Sequence, residues 1–495
     1  MNKLNTTVCI AALWAGTGAM ADVTAEQVWE SWKTNLEDGA NSTLTIGNED
    51  IGNGVVTITG LAVSTMDEGG SFSANLGTVT FTEQGDGTVA VVMDDRFPIE
   101  IQSPDAETVT IEVTQSGFLM IVSGDAQTKS YDVSVDRYAI SFVEIAENGA
   151  PVFDGDILIA LNNLSGTFGT VEGDMLDVSY DFNIGFIDFL ADISEPGGEG
   201  DVLVSGKIEN VASASLISAP LDIDDPDEMF MNGFAFEANY QFGAANFIFD
   251  IQDDGSSSVG SVALESGSTA IDMTADQIDY AMNAKTVAVN VESNELPLPV
   301  TVNLSELGTG LSMPLSITEA PADFSMTVKL SDFTANDEIW DLGDPGRVLA
   351  RDPITLDLDF GGKTILLFDI LDPAQDAARE RADAPGELHA FDINNLLVSA
   401  AGAMLTGTGA FTFDNDDLTT FDGIPRPLGS ATFGLTGGNA LIDNLVGMGL
   451  LGADEASMGR MMMGMFARSV GDDELQTTVE VNDQGHLIVN GQRMQ

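Results

Sequence analysis

Alternation with a period of two runs through most of this chain, and turn residues interrupt it far more often than helical stretches do. Val55, Thr57 and Thr59 alternate with Val56, Ile58 and Gly60; Val79-Thr80-Phe81-Thr82 and Val89-Ala90-Val91-Val92-Met93 follow, with Gln84-Gly85-Asp86-Gly87 between them. Successive side chains of a strand point to opposite faces, so this pattern reads as strands joined by tight turns. The same texture returns at 202–208, 234–240, 247–251, 287–291, 301–304, 324–330 and 355–360. Parallel neighbours would need crossovers of a dozen or more residues, and most connections here are too short for that. The expected fold class is mainly β: a long twisted antiparallel sheet curved over itself.

Helices are expected at the two ends. Thr24-Ala25-Glu26-Gln27 has the form of a capping box, and Val28, Trp29, Trp32 and Leu36 fall on one helical face before Asp38-Gly39. Such a tryptophan stripe either packs the helix onto the sheet, its commoner use, or faces a membrane or partner. Segments 222–231, 336–342 and 372–383 read as short helical or loop insertions. Near the C-terminus, 439–450 reads as an amphipathic helix and 454–467 as a second one capped by Asp454. After this helical segment, 439–468, period two resumes at 477–481 and 487–489, a final hairpin.

The first residues have the layout of a signal peptide: Lys3, an apolar run from Val8 to Ala15, and Ala19-Met20-Ala21 as a cleavage site. The expected organisation is a signal peptide at 1–21 and one elongated β-rich unit at 22–495, with a soft division near 220–232. Cleavage would remove Cys9, the single cysteine, leaving no disulfide, thiolate nucleophile or cysteine-bound metal. The expected location is the periplasm, with secretion beyond the outer membrane open. No later segment has the roughly 18 apolar residues of a membrane-spanning helix.

With 79 Asp and Glu against 17 Lys and Arg, the net charge is -62. Such a field repels nucleic acid and bare anionic membrane, and it draws cations weakly to the whole surface. The runs at 222–228 and 414–417 have too few correctly spaced oxygens for an EF-hand loop. Gly361-Gly362-Lys363-Thr364 resembles the end of a phosphate loop, but Asp357 stands where the first glycine belongs, and the segment reads as a hairpin turn. Neither His389 nor His486 has a local partner that would make it a base, and no nucleophile elbow or zinc-protease helix is present. No catalytic residue, metal ligand or cofactor is therefore assigned.

The most distinctive local feature is Met461-Met462-Met463-Gly464-Met465-Phe466, with Met458 one turn earlier. Thioether side chains re-pack around irregular apolar partners, which makes Met458, Met461, Met462, Met465 and Phe466 candidate ligand-binding residues. A gap-filling core helix is the plainer reading, and thioether copper(I) binding a third.

Several stretches together resemble the exported alphaproteobacterial family known as domain of unknown function 2125. They are Ala21-Asp22-Val23-Thr24 through Val28-Trp29, Asp337-Glu338-Ile339-Trp340, Pro385-Gly386-Glu387-Leu388-His389, Phe411-Thr412-Phe413-Asp414-Asn415 through Phe421, Leu435-Thr436-Gly437-Gly438-Asn439, the methionine run, and Val489-Asn490-Gly491-Gln492-Arg493. The resemblance implies export and one shared architecture, and it supplies no activity. The last hairpin is also faintly similar to the ends of envelope proteins built from long folded-over sheets, some associated with lipid handling.

Three functions fit these features. One is a non-catalytic binding protein holding a lipid or other apolar ligand in a sheet-lined groove. The others are a structural or interaction protein of the envelope using its acidic surface with divalent cations, and a carboxylate-dependent hydrolase. An open apolar groove, as against a filled interior, would favour the first.

Overall fold

The computed structural model describes residues 23–37, 42–67, 70–103, 107–125, 127–198, 200–221, 228–382 and 384–494. The expected signal peptide at 1–21, the helix stop at Asp38-Gly39 and the acidic run 222–227 lie outside them. The described strands form one antiparallel sheet, mainly β as the alternation predicts.

The connectivity is a meander. Each long strand pairs with the next along the chain: Thr128–Glu147 with Asp154–Glu172, that with Met175–Ser194, and that with Asp201–Pro220. Where the strands are short, two lie end to end as one interrupted row. Val89–Met93 and Arg96–Gln102 both pair with Gly70–Glu83, and Ala235–Phe242 and Ala245–Asp253 both pair with Asp201–Pro220. The second of these joins the chain on either side of 220–232 within one sheet.

A crease crosses the rows. Seven successive hairpins each bring one pair of small or polar residues together there: Gly47 with Gly60, Gly77 with Asp94, Gly117 with Asp136, Asn163 with Gly185, Asn210 with Gly243, Glu265 with Thr286, and Ser305 with Asp332. Gly60, Gly77, Gly117, Asn163, Asn210, Thr286 and Asp332 all have φ between 50° and 71°. That left-handed region suits glycine and is tolerated by Asn and Asp. The apolar alternation changes parity at this line. In the row 235–253 the less exposed side chains include Phe236, Ala238 and Phe242 before the break, and Ala245, Phe247 and Phe249 after it. One residue per row is spent on the bend, as in a bulge, so the apolar side of the sheet continues through it.

The similar stretches Leu161-Asn162-Asn163-Leu164 and Ile393-Asn394-Asn395-Leu396 both mark such breaks. Asn163 sits on the crease, and Asn394 sits in the bulge between Ile393 and Leu396, donating to Asp359 Oδ1 at 3.0 Å.

Among the described residues the densest core cluster sits at one end. Helix α1 (Ala25–Glu37) lies on the first rows, where Trp29, Ile58, Leu61, Val79, Phe81, Val89 and Val91 are fully buried. Trp32 meets Phe81 edge-on at 5.3 Å, so the tryptophan stripe packs onto the sheet. The capping box forms: Gln27 N–H donates to Thr24 Oγ1 at 3.2 Å and Thr24 N–H to Gln27 Oε1 at 3.0 Å.

Helices α2 (Asp337–Gly343) and α3 (Asp376–Arg379) are short insertions between rows, and α4 (Gly438–Gly447) and α5 (Ala453–Phe466) form the C-terminal pair. Two local expectations are corrected. The α5 cap is Gly452, whose N–H donates to Glu455 Oε2 at 3.0 Å; Asp454 lies inside the helix, in its first turn. Gly361-Gly362-Lys363-Thr364 is no turn. It runs inside the strand Ile354–Leu366, paired on both sides, and a Cβ at Gly362 would lie 2.7 Å from Phe324 Cζ, so a side chain there would displace the ring. The chain closes as expected, with Glu474–Val481 paired to Leu487–Val489.

Candidate apolar groove

Directly opposed residues of antiparallel strands share a face, so the register can be followed from row to row. One line reads Val133, Gly166, Phe182, Ser213, Tyr240, Thr269, Met282, Thr309, Val328, Leu358, Leu396, Gly407, Phe433, Thr477. Two residues along each strand, a parallel line carries Tyr131, Phe168, Tyr180, Ala238, Ile271, Tyr280, Leu311, Met326 and Phe360. On the other flank Leu307, Leu330, Leu356, Val398, Leu405, Leu435 and Leu475 are successive partners. Together they make a continuous apolar face from the α1 core to α5.

Among the described residues this face is only partly covered. Met282 and Leu311 are 38% exposed, Leu307 39% and Met326 42%, whereas the core under α1 is fully buried. The reverse side of the same strands is polar, with Thr327, Lys329, Asp357 and Asp359. An antiparallel sheet with one apolar face normally packs that face against a core. Here, beyond the first rows, the face stays partly exposed among the described residues and makes a candidate groove.

Glycines opposite phenylalanines keep its floor low. A Cβ at Gly407 would lie 2.7 Å from Phe433 Cδ1, and a Cβ at Gly166, Gly206, Gly260 or Gly267 would run into the ring of Phe182, Phe247, Phe249 or Phe242. Each ring lies across the glycine, which covers the bare backbone and fills little of the space above. Burial pushes the phenol groups of Tyr131 and Tyr240 up from their ordinary value, consistent with their place on this face.

At the C-terminal end α5 crosses the groove. Met462, Met463 and Phe466 meet Leu405, Phe433, Leu435 and Leu475 around a cavity of about 300 Å³, lined almost wholly by apolar side chains. Of the residues singled out in the sequence, Met462 and Phe466 reach this cavity. Met458, Met461 and Met465 do not; they are 61%, 62% and 59% exposed on the outer side of the helix. Consecutive methionines on a helix diverge by about 100° each, so one run cannot present a single surface. The sheet residues of the cavity went unnoticed in the sequence, because alternation identifies the apolar face of each strand but not which strands become neighbours.

The acidic run at 414–417 is used locally. Arg426 donates to Asp414 Oδ2 at 2.7 Å and holds that carboxyl below its usual range, while Asp417 accepts from the hydroxyl and amide of Thr420 and is lowered likewise. Among the described residues no three His, Cys, Asp or Glu converge on a metal-sized site. No helix among them is long and apolar enough to cross a membrane.

In comparisons with known proteins, the family described as an uncharacterized protein conserved in bacteria (DUF2125) matches residues 244–491. No curated protein and no solved structure matches the chain.

Proposed function

The chain belongs to the DUF2125 family, and from its geometry we propose that it is an exported, non-catalytic protein that holds a lipid or other apolar ligand along the groove. The observation that supports this reading is the continuous apolar face left partly exposed between the α1 core and α5, with Tyr240, Met282, Leu307, Leu311 and Met326 38–42% exposed and most of its other members intermediate. Exposed apolar strips larger than a few hundred Å² are costly in water and mark binding surfaces. The signal-peptide layout of residues 1–21 supports export to the periplasm. The acidic exterior keeps the groove-bearing protein soluble and away from nucleic acid and anionic surfaces.

The ligand lies on the sheet between Tyr131 and Phe433, and the α5 cavity takes the end of an apolar chain between Met462, Phe466 and Leu475. The test is organic extraction of protein purified from its native envelope, followed by mass spectrometry. A co-purifying apolar molecule in stoichiometric amount is expected, lost when Met462 and Phe466 are both replaced by Asp. Protein that carries no such molecule and takes up none from added lipid overturns the reading.

A further inference from the structure

Resting on that reading, we infer that the groove holds several lipid molecules in series. Its length carries the argument. Between the row of Tyr131 and the row of Leu396 the apolar line crosses ten strand spacings, roughly 50 Å at about 4.8 Å each. One acyl chain reaches about 15 Å, half of a bilayer's hydrocarbon core of about 30 Å. About three chain lengths therefore fit end to end.

Nothing on the central line divides it. Its polar members are the hydroxyl residues Ser213, Tyr240, Thr269 and Thr309, with no charged side chain. Glycines opposite Phe182 and Phe242 lower the floor, so no side chain forms a partition. The residues outside the described ones hold no apolar run long enough to cover it. The longest apolar run outside the described residues, from Val8 to Ala15, has eight residues and would span at most about 27 Å as a strand. The two ends differ: α1 closes the first rows with a filled core, while α5 leaves a cavity beneath it. A groove of this kind conducts lipids along its length, with α5 at the end where they enter or leave.

The probe is phosphatidylcholine vesicles, with the full mature chain incubated, separated by gel filtration and assayed for bound phosphorus per polypeptide; light scattering gives the oligomeric state. Two or more phospholipids per monomer are expected. Met326→Glu and Met282→Glu, at half-exposed positions on the floor, put a charge in mid-groove and should lower the count by at least one, with melting temperature within a few degrees of wild type. Loss of fold in one variant is controlled by the other. A count of one, or a count unchanged by both variants, overturns serial occupancy and leaves the proposed function standing. A count of zero overturns serial occupancy, and together with a native extract free of apolar molecules it overturns both; a lipid-free dimer assigns the face to a second copy of the chain.

Discussion

Phe433 lies across Gly407 on the neighbouring strand, so close that a Cβ at Gly407 would sit 2.7 Å from Phe433 Cδ1 and 2.9 Å from Cε1. This pairing sets the height of the groove floor beside α5. Gly407→Val should lift the ring into the cavity bounded by Met462 and Phe466. The expected cost is about 1–3 kcal/mol of stability, the usual range for overpacking, read by urea denaturation. Phosphatidylcholine uptake should fall in the same variant. Gly→Val at Gly52, which has nothing within 4 Å of its Cβ, is the control and should change neither.

Stability should depend on the N-terminal end far more than on the methionines. Trp29 is fully buried, tilted against Phe81 at 5.9 Å, and its indole N–H donates to Glu49 Oε1 at 2.7 Å. Trp29→Ala leaves a cavity in the one dense core and should cost about 3–5 kcal/mol by chemical denaturation. Met461→Ala, at an exposed position, should stay within about 0.5 kcal/mol. Equal effects would mean that the groove end contributes packing its exposure does not suggest.

The crease gives a backbone prediction of opposite signs. Thr286 holds φ 50°, where a β-branched side chain is strained, while Asn163 holds φ 55°, where asparagine is tolerated. Thr286→Gly should raise stability by about 1 kcal/mol, less the small loss of the exposed hydrogen bond to Glu265. Asn163→Val should lower it by about 1–2 kcal/mol. Urea midpoints for the two variants test both signs.

The sheet, its helices and its closing hairpin were legible because they depend on local signals: alternation, caps and turn residues. Thr24 and Gln27 predict their own hydrogen bonds. The groove was not legible, because Leu405, Leu435 and Leu475 become neighbours only through a register set across strands distant in sequence. The crease left a faint local trace in Asn163, as the bulge did in Asn394, but seven hairpins of unequal length hide the repeat from any fixed-period search. The methionine run offers five candidate residues, and the helix divides them between a cavity and solvent.

Acidity should first stabilise and then destabilise this protein. Glu237, Asp272 and Asp279 stand directly opposite one another on three adjacent strands, and like charges so placed repel. Burial first, then the charges of Glu237 and Asp279, raise the Asp272 carboxyl above its ordinary value. A folded-state value above the unfolded one means a stability contribution that is full below the unfolded value near 3.9 and lost as pH rises through the folded one. Asp344 is the reverse case. It is lowered by the amide of Val348, which donates to Oδ1 at 2.9 Å, and outweighing its desolvation, by that of Leu349, which donates to Oδ2 at 2.8 Å. Its contribution is present above about pH 4 and disappears as pH falls through its depressed value. Asp414 and Asp417 act with it. Melting temperature should therefore rise on going from pH 7 to mildly acidic conditions, as the net charge of -62 is relieved, and fall steeply below about pH 4. Asp272→Asn should melt higher than wild type at pH 7 and equal to it below pH 4, whereas Asp344→Asn should melt lower at pH 7 and lose its deficit in acid. A wild-type melting temperature that falls steadily from pH 7 downward would show that the repulsion across these strands is already screened.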